Sequence, residues 1–184
     1  MSEIAPLDPE RLIAALNKHE VQFVLIGALA ARLYGFPRVT ADADITPAGD
    51  TGNLRHLAAA LRELHAKVYT ESIPEGLDFD CSAAMLARAS MWNLVTKAGR
   101  LDIAFTPSGT AGYDDLARGA EKFEAFGLTF LAASLDDIIR SKKAAGRPKD
   151  RDDVAILRAL KQRIKSQATA KIPAKIPAKI ERKR

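Results

Sequence analysis

Residues 40–46, Thr-Ala-Asp-Ala-Asp-Ile-Thr, alternate strictly. In an extended chain, a period of two sends Ala41, Ala43 and Ile45 to one face and Thr40, Asp42, Asp44 and Thr46 to the other. Aspartate is depleted in strands, and carboxylates at i and i+2 stand roughly 7 Å apart on one face, where they repel. Burial of the opposite face fixes which way they point. A divalent cation converts the repulsion into coordination. Magnesium takes carboxylate oxygens together with substrate phosphates, and paired ions can serve both oxygens of a phosphoryl displacement.

The residues upstream narrow this further. Val21 to Ile26 is a short apolar run with the character of a buried strand, and Gly27 breaks it. Ala28 to Tyr34 reads as a short alanine-rich helix stopped by Gly35 and Pro37. Free backbone N–H groups where strand turns into helix can hold an anion. Arg38 and Thr40 then bring a cation and a hydroxyl close to the carboxylates. A phosphate cradle, an arginine and a carboxylate pair are the parts of a metal–triphosphate site.

The rest of the chain mixes helical and strand periodicities. Asp8-Pro9-Glu10 starts a helix that runs to about His19. Leu54 to His65 forms another, with Leu54, Leu57, Ala58, Leu61 and Leu64 on one side. Residues 66–80 read as irregular apart from a short strand near Val68, and 82–89 as a short helix. Asn93 to Thr96 and Leu101 to Phe105 read as a hairpin joined by Lys97-Ala-Gly-Arg100. A short helix at 113–118, strands at 121–126 and 128–131, and helices at 134–145 and 150–164 complete the pattern. This predicts an α+β fold, a mixed β-sheet flanked by helices, with two helices at the C-terminal end.

No run approaches the ~20 apolar residues of a spanning helix, so no membrane association is expected. The N-terminal ten residues do not read as a signal peptide. Cys81 is the single cysteine, which excludes an internal disulfide and fits a reducing, cytoplasmic setting. The net charge of +5 is misleading about the domain. Seven basic residues and one acid fall between Lys165 and Arg184, which leaves residues 1–164 at about −1. That segment repeats Ala-Lys-Ile-Pro from Ala170 and is read as a disordered basic tail following a 1–164 domain. It is either a phosphate-backbone tether or a solvated end without a partner.

Val24-Leu-Ile-Gly27-Ala28 through Arg38-Val-Thr40-Ala-Asp42-Ala-Asp44 resembles the signature of the DNA polymerase beta superfamily of nucleotidyltransferases. A second stretch, Ser134 to Asp153 with Lys142, Arg147, Lys149 and Asp150, resembles a C-terminal motif of the AbiEii-like toxin group. Together the two cover roughly residues 10–160 of a nucleotidyltransferase-like fold. The resemblance implies a Mg²⁺-dependent transferase moving a nucleoside monophosphate from an NTP to a tRNA or protein acceptor. It also implies a toxin–antitoxin or abortive-infection role, with a cognate antitoxin as a partner.

By that resemblance Asp42 and Asp44 would bind metal, and Asp102 would act as general base or ligate the metal and so activate the acceptor hydroxyl. Gly27, Ala28, Arg38, Thr40 and Lys142 would hold the nucleotide phosphates, and Lys142 would offset transition-state charge. Ala28 departs from the usual glycine or serine. It keeps a backbone N–H but offers no hydroxyl, which leaves open a second class: a catalytically degenerate antitoxin or partner-binding protein of the same fold. Asp78 and Asp80 lack a preceding glycine turn and read as loop carboxylates. Arg147, Lys149 and Asp150 also fit simple capping of a helix junction, and Asp153 a salt bridge to Lys142 or Lys149. His19, His56 and His65 read as surface or boundary residues, and Trp92 as core.

Overall fold

The computed structural model describes residues 4–170, with side chains through residue 167. The elements in order are α1 (Pro9–Lys18), β1 (Phe23–Ile26), α2 (Gly27–Leu33), β2 (Asp42–Pro47), α3 (Thr51–Glu63), β3 (Lys67–Thr70), β4 (Ile73–Leu77) and α4 (Ala83–Leu86). They continue with β5 (Met91–Thr96), β6 (Gly99–Ala104), α5 (Tyr113–Gly119), β7 (Glu121–Ala125), β8 (Leu128–Ala132), α6 (Leu135–Ala145) and α7 (Pro148–Ala170). All the strands join one mixed sheet in the order β4-β3-β5-β6-β2-β1-β8-β7. The α+β class with C-terminal helices is therefore as expected. Among the described residues, no helix is long and apolar enough to cross a membrane.

The central pairings place the site. β2 runs antiparallel to β1, opposing Ile26 to Asp44, and parallel to β6, opposing Asp42 to Arg100 and Asp44 to Asp102. Residues opposed across a ladder share a face. Leu25, Ala43, Ile45, Leu101 and Ile103 thus form one apolar face, all at most 1% exposed. They merge with Leu12 and Leu16 of α1 and Leu57 and Leu61 of α3 in one core. Removing the four large ones, Leu25, Ile45, Leu101 and Ile103, from water stabilises the fold by roughly 2 kcal/mol each. Asp42, Asp44, Arg100 and Asp102 are left on the other face.

Three differences from the sequence reading have local causes. Residues 67–77 form the hairpin β3–β4 rather than an irregular stretch with one strand, because Pro74 and Gly76 interrupt the alternation that marks strands. Pro74 is tolerated since β4 is an edge strand. Thr46 is fully buried, so the face carrying Asp42 and Asp44 is open only at the N-terminal end of β2. Finally, α7 continues to Ala170, past residue 164 where the last helix was expected to end. The remainder of the expected basic tail, residues 171–184, lies outside the described residues.

Asn53 ties the frame of β2 to its neighbours. Its amide donates to the carbonyls of Gln22 (2.9 Å) and Ala48 (2.8 Å), and its oxygen accepts from the Gln22 N–H at 2.7 Å. The bonds join the first turn of α3 to the entry of β1 and the exit of β2, in a side chain that is 4% exposed. Asn53→Ala leaves the Gln22 N–H and the Ala48 carbonyl without partners, the Gln22 carbonyl still accepting from the Ala48 N–H, at a cost of about 2–4 kcal/mol. Thermal melting should show the midpoint falling by roughly 5–10 °C.

Candidate active site

Gly27 ends β1 and opens α2 without an intervening loop. Its φ of +67° belongs to the left-handed region that favours glycine, and a Cβ built there would stand 2.2 Å from Asp44 Oδ2. The Asp44 carboxylate fills the space a side chain at position 27 would take. The chain then passes over the N-terminal end of β2, where the Thr40 hydroxyl donates to the Asp42 carboxylate.

A second arm reaches the cleft from the C-terminal helices. Ser134 caps α6 by accepting the Asp137 N–H, and Gly146 ends it in the left-handed conformation (φ +64°). Pro148 opens α7 two residues later, at a position where a missing N–H costs nothing. The tight corner sets the last turn of α6 against the first of α7. Lys142 Nζ donates to Asp153 Oδ2 (2.8 Å) and Asp150 Oδ1 (3.2 Å), while Arg147 Nε donates to Asp150 Oδ2 at 2.6 Å. Asp150 and Asp153 are both 1% exposed. Burial alone would raise the Asp150 carboxyl, but hydrogen bonds from Arg147 and Lys142 hold it below the ordinary carboxylate range. Arg38 Nη2 approaches Asp153 Oδ1 at 3.0 Å, tying the α2–β2 loop to the same cluster.

Both arms border a cleft of about 760 Å³. Gly27, Ala28, Arg38 and Thr40 line one part of it, Asp42, Asp44 and Asp102 its floor, and Lys142 its far wall. All the residues picked out from sequence as phosphate or metal contacts therefore border one cavity, together with Arg147, Lys149 and Asp153. Asp78 and Asp80 do not: Asp78 pairs with Lys67, and Asp80 accepts from the Ser82 hydroxyl. His19 pairs with Glu63 at the surface, and the half-buried Cys81 thiol is pushed up to about 11 by burial, far from a nucleophile's range. Trp92 stacks on Phe79 and packs against the core.

Sequence reading missed Arg100, which lines the cleft beside the carboxylates. The hairpin turn is only Lys97-Ala98, because Thr96 and Gly99 already pair, so Arg100 belongs to β6 and not to the turn. Its signal was available: position i−2 from Asp102 on an alternating strand lies on the same face.

Electrostatics mark the floor as strained. Burial raises the Asp44 carboxyl to about 7, reinforced by the charges of Asp42 and Asp102 and opposed by Lys142 and Arg147. Burial also raises Asp102, against the pull of Arg100. Asp102 Oδ1 is buried and has no hydrogen-bond partner. Among the described residues, no group of three or more His, Cys, Asp or Glu side chains is spaced to hold a metal ion as the side chains stand. Asp42, Asp44 and Asp102 do line one cleft, one with an orphaned oxygen, and their donors are of the oxygen type that a hard divalent cation takes.

Neither a known family model nor a curated protein sequence matches the chain. Solved structures do. A candidate nucleotidyltransferase from Thermotoga maritima superposes with a TM-score of 0.52 at 16% identity, over 82% of this chain and 94% of its own. The lincosamide antibiotic adenylyltransferase LnuA, bound to lincomycin, superposes with a TM-score of 0.53 at 14% identity, over 84% and 99% respectively. The fold is that of the nucleotidyltransferases. In this chain the glycine turn and the strand of Asp42 and Asp44 stand side by side because β1 and β2 are antiparallel neighbours.

The raised Asp44 carboxyl has a consequence for stability. In the metal-free chain the folded state holds a proton that the unfolded state releases near pH 4, so Asp44 weakens the fold as pH rises from about 4 to about 7. Asp44→Asn should therefore be more stable than the parent protein at pH 8, by on the order of 2–4 kcal/mol. Urea melts in the presence of chelator should show that advantage shrinking toward zero as pH falls to about 4.

Proposed function

We propose that this protein is a Mg²⁺-dependent nucleotidyltransferase that moves a nucleoside monophosphate from an NTP to an acceptor hydroxyl and releases pyrophosphate. The observation that carries the reading is the register Asp44–Asp102 across β2 and β6, with the Gly27 turn packed on the Asp44 carboxylate. Asp42, Asp44 and Asp102 would hold the Mg²⁺, which when bound supplies charge neutralisation and polarisation of the phosphates.

The chain's own groups then divide the remaining work. The backbone N–H groups of Gly27 and Ala28 and the Arg38 guanidinium would take phosphate oxygens. Thr40 orients Asp42 through its hydroxyl. Asp102, with its carboxyl raised by burial above the ordinary carboxylate range, would take the proton of the accepting hydroxyl as its oxygen bonds to the α-phosphorus and the bond to pyrophosphate breaks. Lys142 would face the charge that develops on the leaving group. Its two buried carboxylate partners hold the ammonium in one place, so it acts as a fixed charge and not as a mobile one.

The contact of Lys142 with Asp150 and Asp153 joins the residues that resemble the AbiEii-like motif. It supports a toxin–antitoxin or abortive-infection role, with tRNA or a protein side chain as acceptor and an antitoxin partner. The cleft would be reached from a cytoplasmic pool of NTP. Incubation with labelled NTPs, Mg²⁺, total tRNA and cell lysate should transfer label to one class of acceptor. Asp42→Asn and Asp44→Asn should each reduce transfer by at least about a hundredfold. Label transfer that persists in the doubly substituted protein would overturn the assignment of the carboxylates.

A further inference from the structure

Arg100 borders the cleft but has no part in the arrangement above. It lies opposite Asp42 on the β6 side of the carboxylates, whereas the Gly27–Ala28 turn lies on the β1 side. Its Cζ stands 4.2 Å from the centre of the Tyr69 ring, a cation–π contact that holds the guanidinium over the ring face. The nearest carboxylate oxygen, Asp102 Oδ1, is 3.9 Å from Nη2, too far for a hydrogen bond. Arg100 Nε and Asp102 Oδ1 are both buried and both lack a hydrogen-bond partner.

An arginine that served only to balance its neighbours would close those bonds. The cleft shows what that looks like, since Arg147 and Lys142 each donate directly to a buried carboxylate. Arg100 instead keeps an edge of its planar fork unused. A guanidinium held over a ring face can present that edge to two oxygens of a phosphate. Leaving a buried donor unpaired is costly unless a ligand completes it.

Position decides which ligand. If the nucleotide's phosphates lie at the Gly27–Ala28 turn, the far side of the carboxylates is where the acceptor enters, beside Asp102. We propose that Arg100, held by Tyr69, is a specificity-determining residue that binds a phosphate ester of the acceptor next to its accepting hydroxyl. This rests on the nucleotidyl-transfer reading and narrows its substrate class to phosphorylated hydroxyl acceptors, such as a nucleotide unit, free or at the end of a strand. The acceptor's own phosphate is bound and not broken.

The test is a calorimetric titration in excess Mg²⁺ and a non-hydrolysable NTP analogue. Two probe pairs are used: a nucleoside 5′-monophosphate against its nucleoside, and a short oligonucleotide with a free 3′-hydroxyl against the same strand with an uncharged methylphosphonate as its last linkage. The protein should prefer the phosphate-bearing member of at least one pair by about tenfold or more. The pair that shows the preference distinguishes a free nucleotide from a strand end. Arg100→Gln should abolish the preference, Arg100→Lys should restore part of it, and Tyr69→Ala should weaken it, with thermal melts confirming that each variant is folded.

NTP–Mg²⁺ affinity, measured separately, should stay within about twofold in every variant. No phosphate preference in either pair, or an equal loss of NTP affinity in Arg100→Gln, overturns the proposal. Failure of the parent protein to bind NTP defeats the transfer reading alone, because the probe preference is scored on its own titration.

Discussion

Mutual repulsion among Asp42, Asp44 and Asp102 is what the surrounding structure is arranged to bear. Three carboxylates on adjacent strands, partly shielded from water, oppose folding unless something fixes them from behind. The fixing comes from Ala43, Ile45, Leu101 and Ile103, whose complete burial means a one-residue slip of β2 would turn the core outward. It comes also from Gly27, where the lack of a side chain lets the strand-to-helix turn close onto the Asp44 carboxylate. Core packing thus holds together charges that would otherwise separate, and burial among them raises the Asp44 carboxyl to about 7. Holding the three carboxylates this close costs the fold stability.

The C-terminal corner solves the reverse problem. Lys142, Arg147 and Arg38 bring positive charge to the cleft, and Asp150 and Asp153 sit beneath it, almost wholly buried. A buried ion pair gains little net stability, because desolvation offsets the attraction, but removing one member leaves an uncompensated charge. The cluster is therefore better understood as a positional device: it joins α6, α7 and the α2–β2 loop and points its cations at the carboxylate floor. Lys142 and Arg147 lower the Asp44 carboxyl even as its neighbours raise it, which is direct coupling between the two arms.

Much of this was legible from local sequence. Strict alternation put Asp42 and Asp44 on one face, and the same rule applied to Leu101-Asp-Ile selected Asp102. The helix starts at Asp8 and Ser134 act as read, each side chain accepting a backbone N–H of the following turn. What was not legible depends on pairing between distant segments. The parallel match of β2 with β6, which brings Asp102 beside Asp44, spans more than fifty residues and leaves no local trace. The β3–β4 hairpin was hidden by Pro74 and Gly76, residues an edge strand accepts and a central strand does not. Arg100 was lost to a hairpin turn drawn two residues too long. The salt bridge of Asp153 to Lys142 follows from the sequence, but its burial comes from the α6–α7 packing, which composition does not reveal.

The central claim is that the three carboxylates form a cation-dependent nucleotide site, and calorimetry of ATP binding tests it most directly. In excess Mg²⁺ the protein should bind ATP, and in excess chelator binding should disappear, because unshielded carboxylates repel the triphosphate. ATP binding that is equally tight with chelator, or absent under both conditions, would contradict the account.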